Sequence, residues 1–404
     1  MGNAINGKDL VTAGMTPGKW FSAAISEANR VLGAGGSRDE AIEAARSFEP
    51  PAALGLKAAG EVEIHANIRA ENDIEQGNVD KVKETMEALV RTPVVRAAAI
   101  MPDACPAGPV GTIPVGGVVA SEAIHPGMHS ADICCSMAIS ILPGVDPKTL
   151  LDAVQKVTHF GPGTRPADSR LEPPMEVMER FARNPFLRDS MEIARGHYGT
   201  QGDGNHFAYV GTMKSSGETA LVTHHGSRAP GANLYARGMK VAERQRQLVS
   251  PETLKGNAWI PADTKEGDLY WDALQAMRDW TKANHMVIHD MAAELLSARV
   301  ADRFWNEHNF VFRKTDGLFY HAKGATPAFD GWAADATDLT IIPLNMAEPI
   351  LIVRGSNAQH GLGFSPHGAG RNMSRSQHKR MHGNRTDEEI FAEETKGLDA
   401  RFFS

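Results

Sequence analysis

The segment Ala131-Asp132-Ile133-Cys134-Cys135-Ser136-Met137 constrains this chain most, because it holds two of only three cysteines and sets Asp132 three residues ahead of Cys135. Adjacent cysteines pair poorly for steric reasons, and Cys105 lies in the same short region, so a disulfide framework is not expected. An intracellular thiolate is the better use of such residues. A carboxylate and a thiol at this spacing can face one ion from a single turn, and a thiolate can bridge two ions. Other donors must then come from far along the chain. Gly204-Asn205-His206, His224-His225-Gly226-Ser227-Arg228 and Glu307-His308-Asn309 offer histidines, and His367-Gly368-Ala369-Gly370-Arg371 follows. These loops are expected to converge on Cys135 and build one metal centre.

Bulk properties narrow the setting. At 404 residues the chain exceeds the usual limit for a single core, and 42% hydrophobic with 23% charged residues is the make-up of an ordinary soluble globular protein. The longest apolar run, Ile341 to Val353, is too short and interrupted to span a bilayer, and no basic segment with an apolar stretch opens the chain. Met1-Gly2-Asn3-Ala4 resembles a myristoylation signal only superficially, since Asn6 stands where Ser or Thr is needed. A cytoplasmic location without a membrane partner is the expectation. The net charge of −7 argues against a chain coated in positive charge but leaves a local basic groove open, and Arg371, Arg375, Lys379, Arg380 and Arg385 make the one basic cluster.

Periodicity places the motifs on loops. Pro17-Gly18 precedes Trp20, Ala24, Ala28 and Leu32 at helical spacing, Ser37-Arg38-Asp39-Glu40 reads as a capping box, and Val79 to Leu89 reads as a third helix. Val94 to Met101, Val118 to Ile124 and Met137 to Leu142 read as strands, so Asp132 and Cys135 sit on a loop at a strand edge. Asp146 and Pro147 open a helix with Leu150, Leu151, Val154 and Val157 on one face. His206 to Gly211 and Ala220 to Thr223 read as strands, which puts both histidine motifs at strand ends. Ala232 to Val249 and Asp268 to Val300 read as helices, the latter with Leu269, Ala273, Met277, Trp280, Val287, Met291 and Leu295 as its core stripe. Asn309 to Arg313 and Leu318 to Ala322 read as a hairpin around Asp316-Gly317.

Mixed thiol, imidazole and carboxylate donors suit Mn, Fe, Co or Zn rather than Mg or Ca. Taken singly, each donor also fits a plainer role: an Asp beside a Cys in loop hydrogen bonding, a His as a surface or satisfied core group. Three histidines in similar strand-end loops, together with Asp132 and Cys135, are what raise the joint reading. Gly368-Ala369-Gly370 would let backbone amides approach a phosphate closely, although Gly-x-Gly alone also makes a plain turn. His367 ahead of it could attack an α-phosphate and form a phosphoramidate. Arg228 and Lys323 could hold a second phosphate, or be solvated surface charges.

The blocks Ile100-Met101-Pro102-Asp103, Ala131 to Met137, Gly202-Asp203-Gly204-Asn205-His206-Phe207, His224 to Arg228, Glu307-His308-Asn309, Lys323-Gly324-Ala325 and His367 to Arg375 together resemble the RtcB family of RNA ligases, in family order. The resemblance implies an α+β fold, with mixed β-sheets flanked by helices around a deep metal-containing cleft. It implies a single catalytic domain over residues 1–404, with a helical cover at 1–93, a metal and nucleotide core at 94–375 and a polar tail at 376–404. It implies a metal-dependent ligase for tRNA splicing or RNA repair, joining 2′,3′-cyclic phosphate or 3′-phosphate RNA ends to 5′-hydroxyl ends and consuming GTP. Carried over residue by residue, Asp132, Cys135, His206, His224 and His308 match the ligands of two Mn²⁺ ions, with Cys135 shared, and His367 matches the nucleophile that becomes guanylylated. Asn205, Gly368, Ala369, Gly370 and Asn345 match nucleotide contacts; Arg228, Lys323 and Arg371 match groups that hold the RNA-end phosphate. The implied partners are RNA ends from tRNA halves or damaged RNA, GTP and an archease-like activator.

Several positions depart from the family pattern. Ala104-Cys105-Pro106-Ala107-Gly108-Pro109 lacks the family's histidine and lysine, Tyr209 replaces an acidic residue of the nucleotide pocket, and Pro343-Leu344-Asn345-Met346-Ala347 replaces Pro-Gly-Ser-Met-Gly. The metal and nucleophile set is intact while the base-recognition set is altered, so a divergent member is expected. The competing readings are a metal-dependent phosphohydrolase or phosphodiesterase, and a non-catalytic RNA-binding paralogue.

Overall fold

The computed structural model describes residues 4–49, 53–328, 331–345, 348–356, 358–370 and 380–401. In it the Ser37 hydroxyl accepts from the Glu40 amide and the Glu40 carboxylate accepts from the Ser37 amide, so the expected capping box starts a helix. The chain divides into two units, Met1–Gly55 with Gln247–Pro251, and Leu56–Arg246 with Glu252–Ser404. The first contains helices α1 (Gly7–Thr12), α2 (Phe21–Gly33) and α3 (Arg38–Arg46) around Ile5, Leu10, Met15, Ala24, Ala28, Ala41 and Ala45.

The second unit is α+β, as expected. Its helices are α4 (Asp73–Val90), α5 (Pro147–Val157), α6 (Met175–Arg183), α7 (Met191–His197), α8 (Arg228–Val249, whose last residues belong to the first unit), α9 (Lys265–Leu295) and α10 (Asp387–Glu394). Helix α4 starts at Asp73 rather than at Val79, because the Asn72 side chain caps it by accepting from the Glu75 amide at 3.0 Å. A five-stranded mixed sheet runs β1 (Ile64–Ala66), β2 (Val95–Cys105), β3 (Val115–Ser121), β13 (Phe319–Lys323), β12 (Asn309–Arg313), with only β1 and β2 parallel. A four-stranded antiparallel sheet runs β11 (Asp302–Glu307), β5 (Ser136–Leu142), β9 (Thr219–His225), β8 (Phe207–Thr212). Four short pairs complete the set among the described residues: β4 (Ala123–Ile124) with β10 (Ile260–Pro261), β6 (His159–Phe160) with β7 (Thr200–Gly202), β14 (Ala325–Pro327) with β17 (Phe364–Pro366), and β15 (Leu339–Pro343) with β16 (Ile350–Arg354).

The four-stranded sheet is covered on both faces, and period-two alternation assigns its residues. Met137, Ile139, Ala220 and Val222 join Ile341 of β15 and Ile350 and Ile352 of β16 in one apolar cluster. Leu142 and Leu221 lie on the other face, with Leu150, Ala153 and Val154 of α5 and Ala292 and Ala293 of α9. Helix α9 departs from expectation at its end and on its buried face. It stops at Leu295 rather than Val300, with Ser297 in the left-handed region at φ 50°, and Leu295 is 53% exposed. Ala273, Met277 and Trp280 are buried as expected, but the remaining buried face also carries His285 and His289, whose polar partners on β5 and β9 replace apolar contacts, and Asn284, which bonds the Gly199 amide and the Thr200 carbonyl.

Among the described residues no helix is long and apolar enough to cross a membrane.

Candidate metal centre

Antiparallel register is what gathers the donors. Glu307, at the end of β11, pairs with Ser136 at the start of β5; Met137 pairs with His224 near the end of β9; His224 pairs with Phe207 at the start of β8. Cys135 precedes β5, His308 follows β11 and His206 precedes β8, so all four donors fall at one end of the sheet. The loop strand ends are cross-tied: Cys134 N–H donates to Asn309 O at 2.7 Å, His308 N–H to Cys135 O at 2.9 Å and Ser227 N–H to Ile133 O at 3.1 Å.

Two donor groups share the thiol. Cys135, His224 and His308 form one and Asp132, Cys135 and His206 the other, the donor atoms of each lying within 4.8 Å of one another. Cys135 Sγ is 3.2 Å from His224 Nε2 and 3.7 Å from His206 Nε2, His224 Nε2 is 3.1 Å from His308 Nε2, and His206 Nε2 is 3.2 Å from Asp132 Oδ2. Metal–ligand bonds of about 2.0–2.3 Å hold neighbouring donors roughly 3–3.7 Å apart, so these separations fit coordination.

Protonation at His224 and His308 fits as well. His224 Nδ1–H donates to the Asn205 carbonyl at 2.8 Å, which leaves its Nε2 lone pair facing the thiol. Burial pushes His224 down to about 3, aided by the charge of His206, and holds His308 well below the usual range, so both rings are neutral. Burial and the Asp132 charge push the Cys135 thiol well up, a penalty that a bound cation would reverse. His308 Nδ1 is buried without a partner among the described residues. Close packing leaves no room at Gly226, where a Cβ would lie 2.1 Å from Asp132 Oδ1.

His367 follows β17 and faces this cluster, its ring centroid 4.9 Å from that of His308. Its Nδ1 lies 2.8 Å from Asp103 Oδ2, and the Asp103 side chain is 4% exposed. Gly324, at φ 65°, passes so close that a Cβ would sit 2.9 Å from His367 Cε1, and a Cβ on Gly370 would sit 2.8 Å from the Asp103 carbonyl oxygen. The glycine loop is therefore held against the residue that orients His367.

The other expected site residues divide. Arg228 opens α8 at φ 52° and bonds His206 Nδ1 at 3.1 Å, with its Nε buried and without a partner among the described residues, so it joins the cluster. Asn205 contributes its carbonyl, and its residue is exposed. Lys323 is half-buried and donates to the Ile113 carbonyl at 3.1 Å; burial lowers its pKa. Asn345 is exposed and accepts from the Glu348 amide at 3.0 Å, Gly368 lies against the Pro343 carbonyl, and Ala369 is exposed. Arg371 lies outside the described residues, as do Arg375 and Lys379.

Several residues with evident roles carried no signal when read singly. Asp103 sits in a recognised block, yet only the fold reveals its contact with His367. Gln201 donates to the carbonyls of His224 and Phe207, both at 2.7 Å. Glu307, beside His308, pairs with buried Arg278, which also bonds Asp335 at 2.7 Å and lies over the Trp305 ring. The helical pair His285 and His289, spaced by four, was the one pattern in the sequence that could have flagged a buried polar face.

Fold and site together define an α+β protein with a thiol-centred cluster able to hold metal, facing a histidine whose outer nitrogen is fixed by a carboxylate. The family described as tRNA-splicing ligase RtcB matches residues 175–402, more than half of the chain, and the chain belongs to the RtcB family. The tRNA-splicing ligase RtcB of Thermococcus kodakarensis is 25% identical over 76% of this chain and 80% of that protein. The RNA-splicing ligase RtcB of Mycobacterium tuberculosis is 23% identical over 70% of this chain and 82% of that protein. For the tRNA-splicing ligase RtcB of Archaeoglobus fulgidus the values are 25%, 56% and 53%, so the chain spans about half of that relative. The family match includes His206, His224, His308 and His367 but not Asp103, Asp132 or Cys135, which the folded geometry adds.

Proposed function

We propose that this chain is a metal-dependent RNA ligase that joins 2′,3′-cyclic phosphate or 3′-phosphate ends to 5′-hydroxyl ends through a His367–nucleotide intermediate formed from GTP. It acts in the cytoplasm on tRNA halves or damaged RNA, with an archease-like activator as partner. The observation that carries the reading is His367 beside the shared-thiol cluster with Nδ1 on Asp103 at 2.8 Å.

Asp103 accepts from Nδ1–H, which leaves the Nε2 lone pair as the attacking group. Nε2 attacks the α-phosphorus of the triphosphate; a P–N bond forms, the P–O bond to the β-phosphate breaks, and pyrophosphate leaves with the electron pair. The Asp103 carboxylate stabilises the positive charge that develops on the ring. An oxygen of the RNA 3′-phosphate then displaces Nε2 from phosphorus, a cyclic end having first been opened by water. The 5′-hydroxyl attacks the RNA phosphorus, loses its proton and expels the nucleoside monophosphate. Asn205, Asn345 and the backbone of Gly368 to Gly370 hold the nucleotide, while Arg228, Lys323 and Arg371 hold the RNA-end phosphate. Asp132, Cys135, His206, His224 and His308 would hold the ions, for which Mn²⁺ suits the donor set, and these supply charge neutralisation and Lewis acidity at phosphate oxygens.

Incubation of the protein with Mn²⁺ and α-labelled GTP tests the proposal. A labelled protein adduct, stable to alkali, labile to acid and absent from His367→Ala of equal metal content, is expected. No adduct with any nucleoside triphosphate, in protein of confirmed metal content, overturns the ligase reading. Metal-dependent phosphodiester hydrolysis that survives His367→Ala would assign the site to a hydrolase instead.

A further inference from the structure

Behind the donor cluster, on the face of the four-stranded sheet covered by α9, lies a chain of five polar side chains that are at most 1% exposed: Ser140 and Ser136 of β5, Thr223 of β9, and His289 and His285 of α9. Ser140 Oγ is 2.7 Å from His289 Nδ1, His289 Nε2 is 2.8 Å from Thr223 Oγ1, Thr223 Oγ1 is 2.7 Å from His285 Nδ1, and His285 Nε2 is 3.0 Å from Ser136 Oγ. Ser136 Oγ lies 2.9 Å from the Cys134 carbonyl and 3.3 Å from that of His225.

Proton counting gives this chain one direction. Burial holds both rings neutral, His289 down to about 3 and His285 well below its usual range, so each ring donates once and accepts once. With Ser140 donating to His289, His289 to Thr223, Thr223 to His285, His285 to Ser136 and Ser136 to the Cys134 carbonyl, every proton has an acceptor. The reverse order leaves the buried Ser140 hydroxyl proton without an acceptor among the described residues and takes the Ser136 proton from the Cys134 carbonyl. Cys134 is where an anchor is needed, because this non-glycine residue holds φ 56° immediately before Cys135. Its N–H is tied to Asn309 and its carbonyl to Ser136, so both sides of the turn are fixed. His285 also stacks on His225, the neighbour of His224, at 3.5 Å between centroids and 12° between planes.

We propose that this chain sets the turn carrying the shared thiol, with Ser136, Thr223 and His285 as positioning residues for the metal centre, an inference that rests on the metal reading above. The test uses full-length protein loaded with Co²⁺, whose thiolate charge-transfer band reports the Cys135 bond and whose affinity is measured by chelator competition. Ser136→Ala and Thr223→Val are expected to weaken Co²⁺ binding about 10–100-fold and to shift that band, the double variant falling no further than the worse single one. His285→Gln, which keeps one donor and one acceptor, is expected to retain the wild-type band where His285→Leu loses it. Variants that lower only the melting temperature, with wild-type affinity and spectrum, would show plain core packing and overturn the inference alone. Wild-type protein that binds no Co²⁺ would overturn it together with the metal reading.

Discussion

His367 Nδ1 lies 2.8 Å from a buried oxygen of Asp103, a residue 264 positions earlier in the chain. The contact makes the tautomer of His367 a property of the fold: the outer nitrogen carries the proton and the inner one the lone pair. Asp103→Asn places an amide there that can donate instead of accept. Formation of the His367 adduct is expected to fall by as much as about 10⁴-fold, the size of the loss when a catalytic imidazole loses its orienting carboxylate. Metal content should be unchanged, because Asp103 is not among the clustered donors. Single-turnover labelling beside metal analysis checks both halves, and an adduct rate within twofold of wild type would refute the role.

Arg228 rests on Gly202, where φ is 85° and an added Cβ would lie 1.9 Å from a guanidinium nitrogen. Gly202→Ala must therefore both strain the backbone and push the guanidinium aside. A loss of roughly 1 kcal/mol in stability is expected from the backbone alone. The displaced charge should weaken binding of RNA bearing a 3′-phosphate by about 10-fold or more, while RNA with a 3′-hydroxyl is bound as before. Titration of the two RNAs against wild type and variant decides it.

Much of this arrangement was legible in the sequence, and what was not has a common cause. Asp146 accepts from the Thr149 amide at 2.8 Å and opens α5 with Pro147 in its first turn, and the Asp316-Gly317 turn joins β12 to β13, because these signals act over a few residues. Likewise the motif-bearing loops fall at strand ends as periodicity implied. The buried face of α9 was misread because hydrophobic patterning treats His285 and His289 as outward-facing; it has no way to register the hydroxyls waiting on β5 and β9. Asp103 with His367, and Arg278 with Glu307 and Asp335, are polar contacts set by tertiary packing alone, and the sequence does not show which residues meet until the chain is folded.

Neutral buried histidines also tie stability to pH. His125 Nδ1–H donates to the Asn257 carbonyl at 2.8 Å while its Nε2 lies 2.7 Å from Ser121 Oγ, and His129 Nε2 lies 3.0 Å from Tyr270 Oη; burial pushes both rings down to about 4. Their folded pKa values lie below the unfolded value near 6.5, so the unfolded chain takes up more protons between those limits, and stability falls as pH falls from about 6.5 to about 4. Each ring should remove roughly 2 kcal/mol between pH 7 and pH 5. Urea unfolding of metal-free protein at the two values should show the lower midpoint at pH 5, and a flat profile would contradict the neutral assignment.

The sharing of Cys135 between two donor groups makes metal stoichiometry depend on which donor is removed. His308 belongs only to the group with His224, and His206 only to the group with Asp132. Loss of either histidine should lower affinity at one position and leave the other filled, so His308→Ala and His206→Ala are each expected to retain about half of the metal that the wild type binds after dialysis against a weak chelator. Loss of the thiol removes a donor from both groups at once, and a serine hydroxyl is a poor substitute because it resists ionisation in a buried site. Cys135→Ser is therefore expected to lose essentially all bound metal, and with it the ligand-linked stabilisation of about 2.7 kcal/mol that a site at 100 times its dissociation constant provides. Elemental analysis with thermal unfolding measures both, and a Cys135→Ser protein holding as much metal as the single-histidine variants would rule out a thiolate common to both ions.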